Sequence, residues 1–189
     1  LEKLNLKFSR KVGGDNQLEA RIRSYELAAR MQVAATEALN LGSESASVKK
    51  MYGLDRKESR SYGERCLLAR RLVERGVRYV QILINNQIWD NHTDLRGALR
   101  GCCARTDQPA AALVRDLKQR GLLDSTLVIW GGEIGRLPVV ENHGDPKKAG
   151  RDHWGSVYST VLAGGGIRGG QVYGSSDKIA GYPADNPVH

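Results

Sequence analysis

Apolar residues recur every three to four positions in the first third of the chain, where Leu18, Ile22, Tyr25, Ala29 and Val33 fall on one stripe. That spacing predicts a helix over residues 16–38, capped by Asp15 or Asn16, with Gly42 beyond its end. A second short helix is expected over 48–52, stopped by Gly53, with loops at 13–14 and 41–47. A third, amphipathic helix is expected over 64–75, closed by Gly76 just past its last turn. This helical segment, residues 1–60 with the helix that follows, carries little that suggests chemistry.

At Val77 the pattern changes. The run over 77–84 is β-branched and mostly apolar, which predicts a largely buried strand. A polar loop over 85–93 leads to helical sequence over 94–120, with a break near Thr106 and Pro109, because proline is comfortable only in a helix's first turn. Further strands are expected over 126–130 and 157–163, and a short one over 171–173 after a glycine-rich turn. Strand, helix, strand in that order implies a right-handed crossover and a parallel sheet with helices on its faces. Residues 61–189 would then be the sheet-forming part of a single α/β domain, with ligands gathering beyond the carboxyl ends of the strands.

Composition narrows this only a little. Hydrophobic residues at 40% and charged residues at 26% are ordinary for a globular protein, and no apolar run reaches the roughly 18 residues of a membrane span. The net charge of +8 favours anionic ligands. The basic residues are nevertheless scattered among acidic ones, as at Arg56, Lys57 and Glu58, so a solvated surface is expected and no nucleic-acid partner. Three cysteines, Cys66, Cys102 and Cys103, make no disulfide framework; packing is their expected role.

The residues suited to chemistry all follow the first expected strand. It empties into Trp89, Asp90, Asn91 and His92; the second empties into Gly132, Glu133 and Arg136; the loop before the third carries Arg151, Asp152 and His153. Asp90 and His92 stand two apart, so an extended loop turns both the same way and lets a carboxylate and an imidazole chelate one ion. Zinc accepts both donor types, whereas calcium and magnesium prefer oxygen. Trp89, Trp130 and Trp154 border the three clusters and can keep water from a polar site. Blander readings stay open for each piece. Asp90 and His92 can form a loop cap, Glu133 can pair with Arg136, and Asp152 with His153 can fix a loop. His143 reads as part of an exposed turn and His189 says nothing by itself.

The run over 126–136 resembles the signature of a widespread bacterial sulfatase-like family of unknown function in the alkaline phosphatase superfamily. Trp89 to His92, Gly150 to His153, and Leu162 to Ile167 are similar to three more of its motifs. The resemblance implies an α/β/α sandwich with a mostly parallel sheet, present as the C-terminal part of a domain. It implies a metal-dependent hydrolase of sulfate or phosphate esters. On the same footing Asp90, His92, Glu133 and His153 would be ligands of a divalent ion (zinc, calcium or magnesium), Arg136 would bind an anionic ester oxygen, and Asp152 and Arg151 would support the ligands from behind. The nucleophile is expected upstream of this chain, and an exported location is implied by the family alone. The alternative is a non-catalytic relative that binds an anionic ligand such as a sulfated polysaccharide.

Overall fold

The computed structural model describes residues 2–11, 16–142, 144–145 and 148–188. The Asp15 cap, the loop at 13–14, His143 and His189 lie outside the described residues. Among the described residues five α-helices precede the strands: α1 (Glu2–Lys11), α2 (Asn16–Leu39), α3 (Ala46–Met51), α4 (Arg60–Glu74) and α5 (Leu95–Gln119). Six short strands follow: β1 (Val128–Trp130), β2 (Gly135–Arg136), β3 (His153–Trp154), β4 (Val161–Ala163), β5 (Ser175–Ser176) and β6 (Pro183–Asp185).

The core is made where α4 lies along α5. Tyr52, Leu54, Cys66, Leu67, Ala112, Leu113 and Leu117 are buried together, with Val48, Met51, Ile82 and Val128 packed against them. Close approach is possible because Gly63 carries no side chain; a Cβ there would run into the Tyr52 carbonyl. Cys66 behaves as a small apolar group, its thiol pushed up to about 12 by burial. Cys66, Cys102 and Cys103 are all free thiols.

Charge is buried in this helical body as well. The Arg70 side chain is 1% exposed, and its Nη1 donates to Glu74 Oε2 at 2.6 Å. Its Nη2 stands 2.8 Å from Glu44 Oε1 and its Nε 2.9 Å from Asp116 Oδ2, at ion-pair distance but without hydrogen-bond alignment. Tyr52 donates its hydroxyl to Asp116 at 3.0 Å, and Arg120 Nε donates to the same carboxylate at 2.8 Å. The neighbouring Arg71 pairs with Glu44 and donates to the carbonyls of Glu37 and Ala38 at 2.7 and 2.8 Å. Those carbonyls belong to the last turn of α2, where helical donors run out; Asn40 N reaches the Glu37 carbonyl at 3.3 Å, and a cation from α4 completes the helix end.

Helix α5 runs unbroken through Pro109, against the break expected from sequence. Proline forfeits one main-chain hydrogen bond there, but its ring is buried against the helical body, and packing outweighs that loss. Thr106 turns its hydroxyl back to the Cys102 carbonyl at 3.0 Å, which satisfies a buried polar side chain just upstream.

The expected α/β/α sandwich with a mostly parallel sheet is not what the chain forms. Helix dominates, and among the described residues the strands pair antiparallel in three two-stranded sheets: β1 with β4, β2 with β3, and β5 with β6. Among the described residues segment 77–84 enters no ladder, and 171–173 is not a strand. A buried parallel strand needs neighbours on both edges and cover on both faces. Here Tyr79 is 79% exposed, Leu83 65% and Ile129 64%. The β-branched runs thus record a preference for extended backbone and one covered face, not the identity or direction of a partner. Among the described residues, no helix is long and apolar enough to cross a membrane.

Candidate metal centre

Three separate stretches of chain meet beyond the helical body. The first is the loop after segment 77–84: Asp90 N donates to the Gln87 carbonyl at 2.9 Å and Asn91 N to that of Trp89 at 3.1 Å, a tight turn. Cys102 on α5 donates its thiol to the Ile88 carbonyl at 2.7 Å, tying the root of this loop to the body. Asp94 then caps α5, accepting from Gly97 N at 3.3 Å.

The second and third stretches are β2 and β3, whose register sets Arg136 directly opposite His153. Opposed residues of an antiparallel pair project to the same face, so both side chains reach Asp90. The third stretch is also stitched to the first by its backbone. Leu95 N donates to the Ala149 carbonyl at 2.8 Å and Arg151 N to that of Asn91 at 3.1 Å. Gly150 lies so close that a Cβ would strike the His92 carbonyl. Arg151 turns its guanidinium to the carbonyls of Arg136 and Leu137, holding β2 against the start of β3.

Asp90 Oδ1 is the meeting point. His153 Nε2 lies 2.8 Å from it and His92 Nε2 2.9 Å, and Arg136 Nη1 donates to the same oxygen. The two imidazoles stand 5.0 Å apart between ring centres, tilted by 54°. His92 Nδ1 is 2.5 Å from Asp152 Oδ1, so that carboxylate fixes the ring and directs Nε2 to Asp90. The hydrogen bond from His153, ahead of the pairing with Arg136 and the charge of His92, holds the Asp90 carboxyl below its ordinary value despite some desolvation. The hydrogen bond to Asp152, then the charges of Asp90 and Asp152, hold His92 above the usual imidazole value.

One donor atom from each of Asp90, His92 and His153 lies within 4.8 Å of the others, a spacing that a single ion can bridge. Two imidazoles and a carboxylate, with a carboxylate behind one imidazole, match the donor chemistry of zinc better than that of calcium or magnesium. Glu133 is not in this group. Its side chain is 73% exposed, and its ion-pair partner among the described residues is Arg136, 3.3 Å away. Trp89 and Trp130 meet edge to face at 6.4 Å, next in sequence to Asp90 and to Gly131. Trp154 packs on Tyr182 and donates to the Gly181 carbonyl.

These features define a helical protein in which the loop before α5 and a small strand-bearing region together present a carboxylate, two imidazoles and a guanidinium at one surface. A family model described as protein of unknown function (DUF1501) matches residues 1–189, and the chain belongs to that family. No curated protein and no solved structure matches it. The expected kinship with the alkaline phosphatase and sulfatase superfamily is corrected by this finding: the matching family is one of unknown function, and no sulfatase or alkaline phosphatase family matches. The short motifs at 89–92, 126–136 and 150–153 specify local turns and donors, and such arrangements recur on unrelated folds.

Proposed function

We propose that Asp90, His92 and His153 hold one divalent ion, zinc best fitting the donors, in a site that takes part in hydrolysis of phosphate or sulfate esters. The observation that carries this reading is the convergence of the three donor groups within 4.8 Å, although Asp90 and His153 are 63 positions apart. A bound ion would draw charge from the ester's anionic oxygens and stabilise the leaving group. The chain's own residues do the rest. Asp152 holds His92 in the tautomer that leaves Nε2 free for the ion. Arg136, now paired with Asp90 and Glu133, is placed to exchange one of those carboxylates for an ester oxygen, its planar fork matching a tetrahedral anion. We assign the nucleophile to none of the described serines or threonines.

Metal uptake is the direct test. Calorimetric titration of the metal-free protein with zinc should show one strong site, abolished in Asp90→Ala and His153→Ala. Asp152→Asn should weaken it by about 10- to 100-fold, as loss of a carboxylate behind a ligating imidazole does. Zinc binding equally tight in His153→Ala would end the reading. Turnover of aryl phosphate and aryl sulfate by the zinc-loaded protein, with Arg136→Gln as control, then separates a hydrolase from a protein that only binds anions.

A further inference from the structure

Away from the Asp90 cluster, a cleft of about 500 Å³ opens where the turn before α4, the outer faces of α4 and α5, and the loop at 85–86 come together. That volume suits a small ligand, for which pockets run roughly 300–1,000 Å³. Its walls carry three cations, Lys57, Arg65 and Arg105, against one carboxylate, Glu58, a balance of +2. None of the three cations forms an ion pair among the described residues. Arg65 instead donates to the Leu83 carbonyl at 2.5 Å and to Asn85 Oδ1 at 3.3 Å, neutral acceptors that orient the guanidinium without neutralising it. Ser61 and Tyr62 add hydroxyls to the lining.

We propose that this cleft is a second binding site, for a small organic molecule bearing a phosphate or sulfate group. Like charges from three separate elements repel one another unless something compensates them, and the buried arginines of the same body are compensated throughout by Glu44, Glu74 and Asp116. Arg65 is held in place by its neutral acceptors, while the exposed Lys57 and Arg105 can turn in toward an anion that enters the cleft. Hydroxyl and guanidinium donors around one cleft satisfy several oxygens of a tetrahedral anion at once, with Arg65 already fixed in place. The Tyr62 hydroxyl, hydrogen-bonded to Cys66, stays protonated, since burial, and then that neighbour, push it up to about 12.

The probe is glucose 6-phosphate, with glucose as the uncharged control, titrated into the protein at low ionic strength and followed by calorimetry and by amide chemical shifts. Binding is expected in the wild type and unchanged in Arg136→Gln/His153→Gln, which disables the anion-binding groups of the Asp90 cluster. Lys57→Gln/Arg105→Gln, both at exposed positions, should weaken it by about tenfold or more, whereas Lys57→Arg/Arg105→Lys should restore it. The shifts should centre on Ser61, Asn85 and Asn86. Loss of binding in Arg136→Gln/His153→Gln would locate the anion at the metal cluster and overturn the proposal. So would equal affinity in Lys57→Gln/Arg105→Gln, equal binding of glucose, or no binding by the wild type.

Discussion

Between residues 40 and 123 the chain buries Tyr52, Leu67 and Leu117 almost completely and encloses Arg70 among three carboxylates. From residue 124 to 188 its ladders are two or three residues long, and Ile129, Val161 and Leu162 remain exposed. Stability therefore lives in the helical body, through packed area and neutralised charge. The chemistry gathers beyond the packed helices, where the loop with Asp90 and His92 meets the Arg136 and His153 of the strand-bearing region, held by main-chain hydrogen bonds between loops. Rigidity is borrowed: the Asp90 loop is anchored to α5 by Cys102 and Asp94, and β3 is anchored to the Asp90 loop. A site can thus be well placed in a region with little core of its own.

The largest expected effect lies in the body. Arg70→Ala leaves Glu44 with Arg71 alone and Asp116 with Arg120 alone in a dry environment, and should cost about 3 kcal/mol in denaturant unfolding. A loss below about 1 kcal/mol would mean that water reaches the network and that the contrast between the regions is overstated.

One substitution made in both regions sharpens the comparison. Gly63→Ala drives a methyl group into the Tyr52 carbonyl between packed elements and should destabilise the fold by about 1–3 kcal/mol. Gly150→Ala drives one into the His92 carbonyl. It should leave the body's unfolding midpoint nearly unchanged yet lower zinc affinity by about tenfold or more, since the ligands' supports shift. Equal destabilisation by the two variants would contradict the division of labour.

A smaller effect is expected from pH. Burial pushes the Glu44 carboxyl up, but the Arg70 and Arg71 guanidiniums beside it outweigh that and hold the group below the ordinary glutamate value. A depressed folded-state value means that the stabilisation is complete above the ordinary glutamate range and fades as pH falls through the lower folded value. The stability difference between wild type and Glu44→Gln should therefore be constant near neutrality and shrink in acid below about pH 4. A difference that grows in acid would reverse the sign and sink the assignment. The smallest effect belongs to Ile129→Ala, which at 64% exposure should change stability by no more than about 0.5–1 kcal/mol.

The helices are largely legible in the sequence because a 3.6-residue stripe and a terminal glycine are local signals; α2 covers Asn16–Leu39 against an expected 16–38. Pairing is not local, and that is where the reading of strands fails. The order around Val77 and Thr126 suggests a parallel sheet, yet β1 takes β4 as its antiparallel partner and 77–84 takes none. Individual motifs, Asp90 with His92 and Asp152 with His153, can be seen as donors in the sequence. Their meeting depends on a register, Arg136 against His153, that no local pattern encodes. The buried ion network is missed for a different reason. Arg70 and Arg71 follow Leu67 and Leu68 on an amphipathic helix, and two arginines adjoining an apolar stripe are a signal of internal pairing that a surface reading of charge passes over.

The contact between Asp90 and His153 joins positions 63 residues apart. In polymer terms, an ion held by both would be a reversible staple closing a large loop, one that takes in the whole of α5 and the first two strands. Such a staple would restrict the unfolded chain as well as hold the folded one, so metal supply would tune the compactness of the denatured ensemble. The chain would then fold around an ion already gripped at Asp90 and His92, and arrival of His153 would be the step that closes the ring.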